Sequence, residues 1–111
     1  MRTAAKKDAN HNQIEALFER LGWSVLPIYQ IPKTADLVVM KVKLAAVIEI
    51  KDGSKPLSER KLTAGEREFS ERWGGWYCVI ESDDDVVDFD IGMRTKGQPP
   101  ERLRRGRCLK L

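Results

Sequence analysis

Two apolar segments, residues 35–41 (ADLVVMK) and 44–51 (LAAVIEIK), decide the fold of this 111-residue chain. Both are rich in Val and Ile and nearly continuous in apolar residues, which is typical of strands covered on both faces of a sheet. Only Val42 and Lys43 separate them, so we expect an antiparallel hairpin at the centre of the sheet. Neither residue is favoured in a two-residue hairpin turn, and a longer loop would shift the register.

Before the hairpin, the sequence predicts a helix over residues 10–22 and a short strand over residues 23–28. The apolar positions of the helix recur at i, i+3, i+4 and i+7, the spacing of one buried face; they are Ile14, Leu17, Phe18 and Leu21. Asp8 or Asn10 is placed to cap this helix, and Gly22 to end it in a left-handed turn. Pro27 interrupts the strand, so we expect it at an edge of the sheet.

After the hairpin, the pattern predicts a helix over residues 64–73 and a fourth strand over residues 76–80. Thr63 and Glu66 stand at the spacing of a capping box. The apolar positions between residues 86 and 91 predict either a short turn of helix or a last strand. The expected fold is therefore α/β in the order α-β-β-β-α-β, with helices packed on a four-stranded mixed sheet.

We expect one domain over residues 1–91 and a basic tail, docked or mobile, over residues 92–111. Hydrophobic residues make up 41% of the chain and charged residues 33%, the composition of a globular protein. No apolar run approaches the ~18 residues of a membrane span, and residues 1–13 lack the apolar stretch of a signal peptide. We therefore expect a cytoplasmic protein, in the host cell if phage-encoded, with no membrane partner. The two Cys residues do not form a disulfide framework or a zinc site.

The net charge of +3 conceals an uneven distribution. Residues 81–90 contain six acids and no base, whereas residues 91–111 contain seven bases and one acid. The tail therefore either neutralises its own domain or binds an anionic partner such as nucleic acid. Its bases, for which DNA contact, subunit contact and disorder are all open, are Arg102, Arg104, Arg105, Arg107 and Lys110.

Three charged residues interrupt the apolar strands, and burying a charge without a partner is costly. If the hairpin is centred on Val42 and Lys43, Asp36 lies directly opposite Glu49, and Lys51 shares their face of the sheet. Two facing carboxylates repel each other, so a cation should lie between them. That cation is either Lys51 or a hard divalent ion such as Mg²⁺, which prefers carboxylate, water and phosphate oxygens.

These residues resemble the motif of a known superfamily. Asp36 followed by Glu49-Ile50-Lys51 resembles the D-(x)n-E-x-K core of the PD-(D/E)XK nuclease superfamily. The continuation Asp52-Gly53-Ser54-Lys55-Pro56 is similar to small phage-encoded nucleases of the VRR-NUC and Holliday-junction-resolvase-like group. The resemblance covers about residues 8–81 and implies a restriction-endonuclease-like core.

The resemblance also implies roles for individual residues. Asp36, Glu49 and the backbone carbonyl of Ile50 would hold Mg²⁺ or Mn²⁺, and Lys51 would position or activate the attacking water. The first helix of such nucleases often adds an outer-shell group, for which Gln13 is the best match and Glu15 the alternative. The chain departs from its relatives by having Ala35 for Pro, Gln13 for Glu, and Glu66 for Gln.

The expected function is therefore a metal-dependent endonuclease that hydrolyses DNA phosphodiester bonds, with possible specificity for branched DNA such as Holliday junctions. The alternatives are a catalytically inactive DNA-binding module of the same fold and, less well supported, an interaction domain with a structural ion cluster. Lys55, Arg60 and Lys61 are the candidate phosphate contacts, with Lys33 a weaker one. We expect the acidic stretch 81–90 to face away from the nucleic acid.

A homodimer would supply two sites for cutting two strands, and we expect no small-molecule cofactor. Trp73 and Trp76 are interpreted as core or interface anchors and Cys78 as a small buried hydrophobe. The single histidine, His11, is interpreted as a polar surface residue near a helix start. Asp83, Asp84 and Asp85 lack the pattern of a calcium loop and are expected to form a solvated turn.

Overall fold

The predicted hairpin is the centre of the fold. The computed structural model describes residues 7–109 and contains strands β1 (Ser24–Pro27), β2 (Leu37–Lys41), β3 (Leu44–Ile50) and β4 (Trp76–Ile80). β2 and β3 are antiparallel, with Lys41 opposite Leu44 and Leu37 opposite Ile48. The two-residue turn is confirmed, and so is the predicted register from Leu37 to Ile48, although Val42 adopts a positive φ of 51° in that turn. The predicted pair of Asp36 and Glu49 lies beyond the last paired residues.

The sheet is mixed and has the order β1-β2-β3-β4. β1 pairs antiparallel with β2, while β4 lies parallel to β3 at the other edge. The predicted edge position of the strand that contains Pro27 is confirmed. Proline lacks a backbone N–H, so it is tolerated in a strand that has a neighbour on one side only.

Two of the three helices begin and end close to the predicted positions. They are α1 (His11–Arg20) and α2 (Ala64–Arg72). Gly22 has a φ of 93° in the turn after α1, as predicted. The capping box is also confirmed, because the Thr63 hydroxyl accepts a hydrogen bond from the Glu66 N–H at 3.2 Å and the Thr63 N–H donates to Glu66 Oε1 at 2.9 Å.

The third helix, α3 (Asp83–Lys96), is longer than the short turn offered as one of two alternatives. It has 14 residues, runs through the predicted boundary between residues 91 and 92, and ends at Gly97 with a φ of 70°. Acidic residues occupy its first turn, where they interact favourably with the helix dipole. The expected solvated turn over residues 83–85 is therefore the start of this helix, and Asp85 is buried.

The two faces of the sheet are covered by different helices. The larger apolar cluster combines α1, α3 and the sheet; its central members are Ile14, Phe18, Leu37, Ile48, Val86, Phe89 and Met93. The smaller cluster lies on the α2 face and combines Ala35, Val47 and Tyr77 with partly buried Phe69. Trp73 stacks on Phe69 with a centroid distance of 5.5 Å, and Cys78 is fully buried as predicted.

The C-terminal segment is docked on the sheet. Leu103 is buried in the larger apolar cluster, and the Arg105 N–H donates to the Tyr77 carbonyl at 2.8 Å. Arg102 forms ion pairs with Asp85 at 2.7 Å and Asp88 at 2.6 Å. The tail therefore neutralises part of the acidic stretch of its own domain. Lys110, one of the tail bases, lies outside the described residues.

Within residues 7–109, no helix has both the length and the apolar character needed to cross a membrane.

The docking of this segment can be tested with two glycines. Gly106 has a φ of 75°, and a Cβ there would lie 2.2 Å from the Ser70 carbonyl oxygen; Gly97 has a φ of 70° but open space around it. We expect Gly97→Ala to lower the free energy of unfolding by about 1–2 kcal/mol, the cost of the left-handed conformation. Gly106→Ala should lose about 1–3 kcal/mol more because α2 must move. Urea unfolding measures both; equal losses would contradict the docked arrangement.

Candidate active site

The ends of β2 and β3 bring Asp36, Glu49 and Lys51 to one edge of the sheet. Asp36 immediately precedes β2, in which Leu37 is paired with Ile48; the Asp36 N–H also donates to the Ile48 carbonyl at 3.0 Å, one residue out of the hairpin register. Side chains alternate along a strand, so positions 47, 49 and 51 face α2. Glu49 is 4% exposed and Lys51 9% exposed. The sequence therefore positions three charged groups in a largely buried location.

One oxygen of Asp36 is held by the backbone of β3, and the other lies near α1. Its Oδ2 accepts a hydrogen bond from the Ile50 N–H at 2.7 Å, and its Oδ1 lies 3.8 Å from Nδ1 of His11. Burial raises the pKa of Asp36 above its ordinary value, while the Ile50 N–H and His11 counteract this effect. The carboxyl is thus fixed in orientation by the backbone of β3.

Lys51 lies between two carboxylates. Its Nζ is 3.3 Å from Glu49 Oε2 and 3.0 Å from Glu66 Oε1. The capping glutamate of α2 therefore also binds the lysine of the site, and α2 is joined to the end of β3. Sequence reasoning identified Glu66 as a capping residue and as a replacement of Gln, but did not place it in the site.

The cluster contains more negative than positive groups. Burial, reinforced by the charges of Asp36 and Glu66, raises the pKa of Glu49 to about 10. Burial would lower the pKa of Lys51, but the nearby Glu49 and Glu66 raise it overall. The pKa of Glu66 is lowered: burial opposes this, and its hydrogen bonds from Thr63 and Lys51 outweigh burial. One ammonium group does not neutralise three carboxylates, so Glu49 holds a proton when no further cation is present.

The donor set is compatible with a hard divalent ion. Among residues 7–109, no group of three or more His, Cys, Asp and Glu side chains is arranged to hold a metal ion. Mg²⁺ does not require such a group, because proteins usually bind it through one or two carboxylates while water and substrate phosphates complete the shell. Asp36 and Glu49, with the carbonyl of Ile50, would provide that minimal protein contribution.

α1 contributes His11 to the site. His11 is 1% exposed and lies between Asp36 and Glu15, with its Nε2 3.2 Å from Glu15 Oε1. The interpretation of His11 as a surface residue is therefore wrong. The signal was present in the sequence, because His11 precedes Ile14 and Phe18 by three and seven residues and so belongs to the same buried helix face.

Gln13, the predicted contribution of this helix, points elsewhere. Its Nε2 donates to Asp83 Oδ2 at 2.8 Å, which links α1 to the start of α3. Glu15, the alternative, lies beside His11, with its Oε1 3.2 Å from the His11 Nε2.

Asn10 fixes the start of α1 against the sheet. Its side chain makes no capping hydrogen bond to the helix. Instead, its Nδ2 donates to the carbonyl of Lys51 at 3.1 Å and to that of Glu81 at 3.2 Å. These carbonyls follow β3 and β4, so one amide group holds the helix that contains His11 at the strand ends that form the site.

The three predicted phosphate contacts have different surroundings. Lys55 is exposed, with its Nζ 3.9 Å from Asp8 Oδ1. Arg60 lies 3.4 Å from both carboxylate oxygens of Glu81. Lys61 is exposed, and its side chain makes no hydrogen bond or ion pair within residues 7–109. The first two are thus partly neutralised, whereas Lys61 is not.

No model of a known protein family matches the chain, and no curated protein matches it. The structure shows a compact α/β domain with a four-stranded mixed sheet and three helices. Any assignment of function therefore depends on the site itself.

The proton held by Glu49 makes the stability of the metal-free protein pH-dependent. The pKa of Glu49 is about 10 when folded and 4.5 ordinarily, so the free energy of unfolding decreases as pH rises between these values. Glu49→Gln resembles the protonated acid and removes this titration. In EDTA, we expect the variant to gain at least about 1 kcal/mol over wild type between pH 5 and pH 8.

Urea unfolding at both pH values measures the difference. Glu19→Gln, an exposed change on α1, is the control and should show no such gain. A wild type that gains stability relative to Glu49→Gln as pH rises would contradict the assignment.

Proposed function

We propose that this protein is a metal-dependent endonuclease that hydrolyses DNA phosphodiester bonds. The observation that carries the proposal is the convergence of Asp36, Glu49 and Lys51 at the ends of two central strands, in a cluster with fewer positive than negative groups. A structural ion cluster would be expected to balance its charges, because an uncompensated buried carboxylate is costly. A site that binds a divalent cation would explain the imbalance, because the bound ion supplies the missing positive charge.

Asp36, Glu49 and the carbonyl of Ile50 are the groups that would hold Mg²⁺ or Mn²⁺. When bound, such an ion lowers the pKa of a coordinated water and offsets the charge that develops on the scissile phosphate. Asp36 is preorganised for this role, because the Ile50 N–H fixes one of its oxygens and leaves the other near His11.

Lys51 acts as a charged hydrogen-bond donor in this proposal. Its pKa is raised above its ordinary value, so its ammonium group keeps its proton at neutral pH and is poorly suited to act as a base. Glu49 and Glu66 hold its Nζ in place, from which it can orient a water molecule or stabilise a phosphate oxygen. Of the two roles implied by the resemblance, positioning the water therefore suits the surroundings of Lys51 better than activating it.

The proposed substrate is double-stranded or branched DNA, including four-way junctions. One domain of this size contains one such site, so cutting two strands would require a second copy of the chain. A symmetric homodimer is the simplest arrangement that supplies two sites.

One observation favours a second candidate, a catalytically inactive DNA-binding module. The Lys51 ammonium group already lies within 3.3 Å of two carboxylates and partly fulfils the role of a cation. Such a module would bind DNA without cutting it and would gain no stability from Mg²⁺.

The first test is cleavage of supercoiled plasmid and of a synthetic four-way junction. We expect cleavage with Mg²⁺ or Mn²⁺ and none in EDTA. Asp36→Asn should lower the rate at least about a hundredfold, and Lys51→Ala by a similar factor, because each removes a charged group at the developing negative charge. Asn retains an oxygen that can accept the hydrogen bond from the Ile50 N–H, so this variant should fold.

Asp84→Asn is the matched control. It removes an exposed acid at the start of α3, and the cleavage rate should not change. Undiminished cleavage by Asp36→Asn would overturn the site, and junction binding without cleavage by wild type would favour the inactive module.

The second test measures metal binding without turnover. We expect Mn²⁺ at about 100 times its Kd to stabilise the wild type by about 2.7 kcal/mol, which appears as a rise in Tm. Asp36→Asn should show no such rise. Without metal it should melt no lower than wild type, because it removes one negative charge from a buried cluster that has more negative than positive groups. An equal metal-induced rise in both proteins would place the ion elsewhere.

A further inference from the structure

An open groove of about 460 Å³ lies beside the site, between the loop that precedes α2, α2 itself and the C-terminal segment. Each of these three segments contributes basic side chains to its walls. They are Arg60 and Lys61 from the loop, Arg67 from α2, and Arg105 from the C-terminal segment. Two acidic residues, Glu71 and Glu81, also line it, so basic groups are in the majority.

The cations of this groove are only partly neutralised. Glu81 forms an ion pair with Arg60, but the side chains of Lys61 and Arg67 make no hydrogen bond or ion pair with any residue in the described part of the chain. Arg105 donates from Nη1 to the carbonyls of Arg102 at 2.9 Å and of Arg104 at 2.8 Å. These bonds hold its guanidinium group without cancelling its charge.

A neighbouring cavity provides a contrast within the same molecule. It has a volume of about 620 Å³ and lies between the starts of α1 and α3. Five acids line it, namely Asp52, Glu81, Asp83, Asp84 and Asp85, against the single base Arg60. A polyanion would be repelled from this cavity and attracted to the basic groove, because a cleft lined by charges of one sign concentrates their electric field.

The basic groove is also adjacent to the proposed catalytic cluster. Arg67 follows Glu66, the residue that binds Lys51, and both belong to the first turns of α2. The groove therefore begins, along α2, one residue from the cluster. The cations are distributed over three segments, which suits a chain of phosphates better than one compact anion.

We propose that this groove binds the phosphodiester backbone of a nucleic acid strand next to the bond to be cut. The inference rests on the proposed nuclease function and assigns two residues to substrate binding that sequence reasoning left unassigned, Arg67 and Arg105. It also gives the C-terminal segment two functions, since Arg102 neutralises the acidic start of α3 and Arg105 faces the substrate.

The test compares two double variants of equal net charge. Lys61→Ala/Arg67→Ala removes two cations from the groove, whereas Arg72→Ala/Arg107→Ala removes two exposed cations that do not line it. All four side chains are exposed, so both variants should melt like wild type. Fluorescence anisotropy in EDTA measures binding to a DNA duplex and to an RNA duplex of the same sequence, without cleavage.

Each phosphate contact contributes about 0.9 to the slope of log K against log salt concentration. Losing two contacts should therefore reduce the affinity change between 50 and 200 mM salt by about tenfold in the groove variant, with little change in the control variant. A stronger effect with one of the two duplexes identifies which nucleic acid the groove accepts.

Equal weakening in both double variants would overturn the groove and leave the nuclease proposal intact, because only net charge would then matter. If the wild type binds neither duplex at 50 mM salt, the groove proposal also fails. Plasmid cleavage by the wild type with Mg²⁺ then decides separately whether the nuclease function fails with it.

Discussion

The register of the β2–β3 hairpin is the constraint on which the rest of the structure depends. Side chains alternate between the two faces of a strand, so a slip of one residue would turn Val47 and Glu49 to the opposite face of the sheet. Burial of both faces makes such a slip costly, although Val42 must adopt a positive φ to close the turn. The folding energy of the apolar core is therefore what brings Asp36 and Glu49 to the same end of the sheet.

That placement explains the elements around the hairpin. Three carboxylates and one ammonium group meet at the strand ends. Two of these groups are held by neighbouring elements: Asp36 by the backbone of β3, and Lys51 by Glu66 at the start of α2. The capping box of α2 thus has a local and a tertiary effect. It satisfies free N–H groups of the helix and at the same time orients the partner of Lys51.

Much of this architecture follows from the sequence, because period-two and period-3.6 patterns report which face is buried. The hairpin, its register, the capping box and the edge strand at Pro27 could all be predicted in this way. The length of α3 could not, since Gly92 and the acidic first turn obscure a stripe formed by Val86, Phe89 and Met93. His11 was missed for a related reason: a polar residue on an apolar stripe is buried only if its neighbours supply charged partners.

The net charge of +3 can be divided between two sets of basic residues once the contacts of the charged side chains are known. Arg102 forms ion pairs with Asp85 and Asp88, and Arg60 forms one with Glu81, so the bases nearest to the acidic stretch stabilise the fold. Lys61 and Arg67 make no ion pair in the described part of the chain, although Glu71 and Glu81 line the same groove. The acids around the start of α3 therefore pair with one set of basic residues and leave a second set available to an anionic partner. Glu81 belongs to both surroundings, since it pairs with Arg60 and lines the groove, so replacing it with a neutral residue would increase the positive charge of the groove.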